Sequence, residues 1–164
     1  MASFRACTNI SSYAFSACSN LAQVYFPECS IIGSYAFYYC SKSLVSVSFP
    51  KCNSIYTSAF GYASALVSAY FPSCTYISTT AFAYCHKLEN ISLPLAATIG
   101  SSAFRNCSSL ASIHLPKCTT ISSSAFYSCH RLISLYLTNS TMATLVNTNV
   151  FNSTPISTYT TVAG

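Results

Sequence analysis

Ten cysteines and three histidines are the residues of this chain with the most chemistry in them. The cysteines fall into two registers. One runs Cys7, Cys29, Cys52, Cys74, Ala96, Cys118, and the other Cys18, Cys40, Ala63, Cys85, Cys107, Cys129. The steps are 22 or 23 residues, so in a stacked structure each register becomes a column. Neighbours in such a column stand about 4.8 Å apart with parallel Cβ vectors. A disulfide needs converging vectors and a near-perpendicular torsion. A zinc site needs four ligands converging on one point. A column supplies neither. Alanine at the same register in two places points to a small buried group, which is how a free thiol often behaves. The expected reading is ten thiols, most of them buried.

His86 and His130 share a register but lie two repeats apart, about 10 Å by the strand spacing, so they do not grip one metal. His114 stands alone. Asp is absent, and Glu28 and Glu89 are the only carboxylates. Hydrolysis through paired carboxylates or a Ser-His-Asp set has almost nothing to draw on. No catalytic residue, metal ligand or cofactor is implied, and an enzyme is not expected.

These columns must be positioned by a repeat. The Ala-Phe pair occurs at Ala14-Phe15, Ala36-Phe37, Ala59-Phe60, Ala81-Phe82, Ala103-Phe104 and Ala125-Phe126. A fixed period of this length means stacked supersecondary units, each too small to bury its own apolar face. Three segments recur. Ala-Phe-x-x-Cys-x-x-Leu has the spacing of a short helical turn. Next comes an alternating segment, as in Val24-Tyr25-Phe26, Val47-Ser48-Phe49 and Ile113-His114-Leu115. It predicts a strand with one face buried, stopped by Pro27, Pro50, Pro72, Pro94 or Pro116. The third, Cys-x-x-Ile, is expected to be a second short strand-like side. Val24, Val47, Ile91, Ile113 and Leu135 should stack in one interior column, and Phe15, Phe37, Phe60, Phe82, Phe104 and Phe126 in another. The one-residue insertion near Ser41, Lys42 and Ser43 explains the single 23-residue step from Phe37 to Phe60 and belongs on the outer surface.

The chain opens inside a repeat, with Phe4 aligned to Phe26, and without an amphipathic cap or a visible signal peptide. Residues 1–138 read as six turns, the first truncated. Residues 139–164 read as a degenerate last turn and a Ser/Thr-rich tail, with Val146 and Phe151 keeping the spacing of Ile121 and Phe126.

The shared pattern Ile-x-x-x-Ala-Phe-x-x-Cys-x-x-Leu-x-x-Ile-x-Leu-Pro resembles the BspA-type leucine-rich repeat family. The resemblance implies a leucine-rich-repeat solenoid: right-handed, β-rich, with short parallel strands and helical turns. It also implies a place on the cell surface or outside the cell, and a role in adhesion or ligand binding. It brings no catalytic residues. Similar repeats occur in phage-associated proteins. The departures are Ala63 and Ala96 at Cys positions, Ala69 at the strand Ile position and Thr138 in place of Pro.

Composition narrows the partners. The net charge of +5 is spread along the chain, which argues against a nucleic-acid face. No run of 18 apolar residues predicts membrane insertion. Charged residues make up only 5%, so the surface is neutral and hydroxyl-rich, with little repulsion against self-association.

The residues expected to point outward on the strands are Tyr25, Ser48, Tyr70, Asn90, Ser92, His114 and Tyr136. A second outward column holds Tyr39, Tyr62 and Tyr84. Tyrosine gives a large contact area with a polar tip at low entropic cost; it is also simply a good strand former. Three functions follow from such a surface: recognition or adhesion toward a protein or glycan ligand, head-to-tail assembly into filaments, and phage-type receptor binding. Ice binding through Ser122-Ser123-Ser124 or Thr79-Thr80 lacks a uniform array.

Overall fold

The structure is a computed structural model that describes residues 2–138, 149–156 and 158–162. The chain coils so that each repeat contributes one rung to three walls. The first wall holds eight strands: β1 (Ala2–Ser3), β3 (Gln23–Tyr25), β5 (Ser46–Ser48), β7 (Ser68–Tyr70), β9 (Asn90–Ser92), β11 (Ser112–His114), β13 (Ser134–Thr138) and β14 (Thr158–Val162). The second holds β2 (Asn9–Ile10), β4 (Ile31–Ile32), β6 (Ser54–Ile55), β8 (Tyr76–Ile77), β10 (Thr98–Ile99) and β12 (Thr120–Ile121). All pairings are parallel and in register, Val24 opposite Val47 and Ile55 opposite Ile77 for example. This is the expected parallel solenoid.

The third wall differs in detail from the helical turn that its spacing suggests. In a helix every N–H would bond within the coil. Here alternate N–H groups do different things. Phe37 N–H donates to Ala59 O of the next coil at 2.7 Å and Tyr39 N–H to Gly61 O at 3.0 Å, whereas Tyr38 N–H donates back to Tyr35 O at 3.2 Å. The chain meets both demands by placing two residues per coil in the left-handed region, such as Tyr35 (φ 60°) and Tyr39 (φ 58°). The one helical piece among the described residues is a 3-10 turn at Asn149–Phe151.

The interior is columnar. Phe15, Phe37, Phe60, Phe82, Phe104, Phe126 and Phe151 stack with ring centroids 5.0–5.7 Å apart and planes within 11°. A second column, Phe4, Phe26, Phe49 and Phe71, runs beside it and meets it edge-on. Leu93, Leu115 and Leu137 continue that second column. Of the expected columns, Phe15 and Ile91 are only partly buried; the others are in the core. Val150 and Phe151 occupy the Ala and Phe slots of a seventh coil, and β14 adds its strand beside β13. Val146 lies outside the described residues.

None of the ten cysteines is joined in a disulfide; Cys7 and Cys18 are half-buried and the other eight buried. The second register has a clear task. Cys40, Cys85, Cys107 and Cys129 each donate from Sγ to a Phe carbonyl of the preceding coil, at 3.0–3.2 Å. Thr154 takes the same slot in the last coil and donates to Phe126 O. Hydroxyls stitch the outer edges in the same manner: Ser73 donates to Pro50 O at 2.7 Å, and Thr119 to Ala97 O at 3.2 Å. Neutral hydroxyls thus satisfy the carbonyls between coils, and few charges are needed.

Candidate functional site

The first wall shows how period two builds a face. Val47, Ile113 and Leu135 point in, so their neighbours point out. In-register pairing then makes two outer columns. One is Tyr25, Ser48, Tyr70 and Ser92, continued by His114 beside Tyr136. The other is Gln23, Ser46, Ser68 and Asn90, continued by Ser112 beside Ser134. Tyr70 is 49% exposed, and the His114 ring stands edge-on to Tyr136 at 5.5 Å.

The wall is not uniform. Its ladder runs from β1 to β9 and resumes from β11 to β14, with a break between β9 and β11. A cleft of about 390 Å³ lies there. Tyr70, Asn90, Ser92, His114 and Tyr136 border it, so five of the seven residues expected on the strand face meet at one place. Tyr25 and Ser48 lie on the same wall outside it. The other contributors were not expected as binding residues: Ser68, Glu89 and Ser112 at the sides, and Val47, Ala69, Ile91 and Ile113 at the floor. Ala69, on β7, was visible as a departure from the strand pattern, and Ala96, which follows β9, as a departure from the Cys register.

The third wall carries the second tyrosine column. Tyr39 stacks on Tyr62 at 4.7 Å and Tyr62 on Tyr84 at 4.4 Å, with planes within 8°. All three sit at positive φ, between 58° and 64°. Tyr38 packs edge-on against Tyr39 and Tyr62, and Tyr35 against Tyr38; Tyr13 stacks on Tyr35, and His86 meets Tyr84 edge-on at 6.0 Å. The result is one continuous aromatic surface in which Tyr13, Tyr35 and Tyr38 join the expected column. Burial, then the neighbouring phenols, holds the Tyr38 and Tyr62 hydroxyls above their ordinary range. Stacking turns the ring faces toward one another, so the row presents hydroxyls and ring edges, a surface for hydrogen bonding and flat contact rather than for acid–base work.

The charged groups do not gather at either place. Glu28 pairs with Lys51 at 2.7 Å on an exposed corner, and Arg105 lies over the Tyr127 ring at 4.7 Å. Glu89 is the one carboxylate at the cleft. No helix among the described residues is long and apolar enough to cross a membrane.

The family model of the BspA type leucine rich repeat region matches residues 4–96 and 53–163, in six copies. Among solved structures, a leucine rich cell surface protein from Faecalibacterium prausnitzii is 25% identical over 79% of this chain and 42% of its own, with a TM-score of 0.62. A leucine-rich repeat protein from Bacteroides ovatus is 18% identical over 96% of this chain and 53% of its own, with a TM-score of 0.51, a likeness of fold alone. The chain therefore spans about half or less of the length of these solved relatives. No curated protein matches it in sequence.

Proposed function

We propose, from the premise that this chain belongs to the BspA-type leucine-rich repeat family, that it is a non-enzymatic recognition or adhesion module displayed at a cell surface. It holds a protein or glycan ligand against its first wall. The observation that carries this reading is the meeting of Tyr70, Asn90, Ser92, His114 and Tyr136 around one cleft of about 390 Å³, a volume in the ordinary range of ligand sites. The similarity to a cell surface protein supports the location.

The mechanism is shape and preorganisation. The Phe columns and the closed second and third walls hold the face rigid before a ligand arrives, so little ordering entropy opposes binding. Tyr70 and Tyr136 offer flat area with polar tips, and Asn90, Ser92 and His114 offer donors and acceptors. With two carboxylates in the whole chain, one of them tied to Lys51, no pair of carboxylates is available at the cleft for acid–base work.

The test is attachment of labelled protein to cultured cells, measured by flow cytometry. Tyr70→Ala with His114→Ala should weaken attachment at least ~10-fold, as loss of central contacts does. Tyr39→Ala with Tyr84→Ala, on the third wall, should leave it unchanged. Unaltered attachment in the first pair would overturn the reading. Loss confined to the second pair would move recognition to the tyrosine column.

A further inference from the structure

Every neighbouring pair on the first wall is joined except one. Between β7 and β9, Phe71 N–H donates to Ser92 O at 3.1 Å and Glu89 N–H to Val67 O at 3.0 Å. Between β11 and β13, Leu115 N–H donates to Tyr136 O at 2.9 Å and Ile133 N–H to Ala111 O at 3.0 Å. The equivalent bonds across β9 and β11 would run from Leu93 N–H to His114 O and from Ala111 N–H to Glu89 O. Neither forms among the described residues, and the ladder stops. The other two walls stay closed at this level. β10 pairs with β12, and Phe82 N–H donates to Ala103 O at 2.8 Å. The two coils are parted on one side only, and Ile91, in the interior column, is left half-buried at the opening.

Backbone groups facing such a seam need partners. The width decides which. Cα atoms of β9 and β11 still come within 8 Å of each other, whereas an inserted strand needs two strand spacings, about 9.6 Å. A peptide strand does not fit, but hydroxyl-sized groups do. A sugar hydroxyl both donates and accepts, so it can bridge a carbonyl on one edge and an N–H on the other. The lining has the same character: the hydroxyls of Ser92 and Ser112, the Asn90 amide, and the rings of Tyr70 and Tyr136 for the apolar face of a sugar. No Lys or Arg borders the cleft among the described residues, and Glu89 does. An acidic sugar meets a like charge there and finds no cation.

We propose that the seam between β9 and β11 is a binding site for the neutral hexose end of a glycan. This rests on the recognition reading above and names its ligand class. The probe is an array of di- and trisaccharides ending in galactose, glucose, mannose or N-acetylglucosamine, beside sialylated and sulfated versions of each. A subset of the neutral sugars should bind, and acidic versions of that subset should bind at least ~10-fold more weakly, an order set by one uncompensated charge. Asn90→Ala should lower binding by a similar factor, Tyr62→Ala on the third wall should not, and both variants should melt as the parent does. Amide exchange at Leu93 and Ala111 should be faster than at Phe71 and Leu115, and should slow when the bound sugar is added. Preference for acidic sugars, or bound sugar that leaves Leu93 and Ala111 exchange unchanged, would overturn the proposal. Cells treated with periodate separate the two readings. If no neutral sugar binds but attachment to periodate-treated cells persists, the glycan site falls and recognition of protein stands. If attachment fails on untreated cells as well, both fall.

Discussion

Phe82→Ala tests whether the phenylalanine column is the spine of the coil. Phe82 is fully buried, with Phe60 at 5.1 Å on one side, Phe104 at 5.4 Å on the other and Phe71 edge-on at 5.8 Å. Truncating a buried phenylalanine costs about 3–5 kcal/mol, including up to about 1 kcal/mol for each stacked ring pair lost. A protein of this size is stable by about 5–15 kcal/mol, so one substitution removes a large part of the total. In a nearly one-dimensional array the loss falls on two interfaces, between this coil and each neighbour. Urea unfolding followed by circular dichroism, since the chain has no tryptophan, should show a lower midpoint and a shallower or two-step transition as the flanking coils uncouple. Phe82→Leu should cost under about 1.5 kcal/mol, because Leu93, Leu115 and Leu137 already fit the same coil spacing in the second column. Tyr62→Ala is the control: it removes a ring stacked at 4.7 and 4.4 Å but on the surface, for about 2 kcal/mol or less. Equal losses in Phe82→Ala and Tyr62→Ala would refute the reasoning, since stacking alone and not burial would then set the cost.

Two further outcomes follow from the core and the turns. Burial pushes the Cys40 and Cys118 thiols up to about 11 and those of Cys29 and Cys129 up to about 12, from 9.0. Unfolded thiols lose their protons near 9 and folded ones do not, so above that pH the unfolded state binds fewer protons and stability falls as pH rises toward 11–12. Each such thiol steepens the fall by up to ~1.4 kcal/mol per pH unit; a urea midpoint that stays flat from about pH 8 to about pH 10.5 would contradict the buried-thiol assignment. Gly100→Ala should destabilise by about 1–3 kcal/mol, since its Cβ would stand 2.6 Å from Ser78 C and 2.7 Å from Thr79 N, both backbone. Gly61→Ala should be nearly neutral, because it meets only the movable Tyr38 ring at 3.1 Å and Ser58 O at 3.3 Å; thermal melts that rank the two the other way would reject the packing argument.

The columns were legible in the sequence because they depend on period alone. Phe37, Phe60 and Phe82 stack wherever successive coils superpose, and Val47 and Ile113 face inward wherever a strand alternates. The third wall was less legible. Ala36, Phe37 and Cys40 have helical spacing, and local spacing cannot show that Ala59 O of the next coil claims the Phe37 N–H. That claim comes from tertiary stacking, and it sends Tyr35 and Tyr39 to positive φ. Tyrosine is an uncommon occupant of the left-handed region, so propensity gave no warning. The outward direction of Tyr39, Tyr62 and Tyr84 could be read from spacing, but their mutual stacking could not.

The cleft poses a different problem, because a repeat hides whatever is not repeated. Asn90, Ile91 and Ser92 look like every other strand segment, and their pattern predicts one more closed rung. The local departure is Ala69, which pairs in register with Ile91. Val47 and Ile113, on the flanking coils, are 3% and 2% exposed, while Ile91 is half-buried. The interior column is therefore thinnest next to the place where the wall parts. The small rung itself stays paired on both sides, Ala69 with Val47 and with Ile91, and the gap opens one step further along the stack, between β9 and β11. Such a gap leaves backbone donors and acceptors facing a bounded space, with tyrosines on either rim. The repeats supply the rigidity, and the proposed recognition site lies where the ladder of the first wall stops.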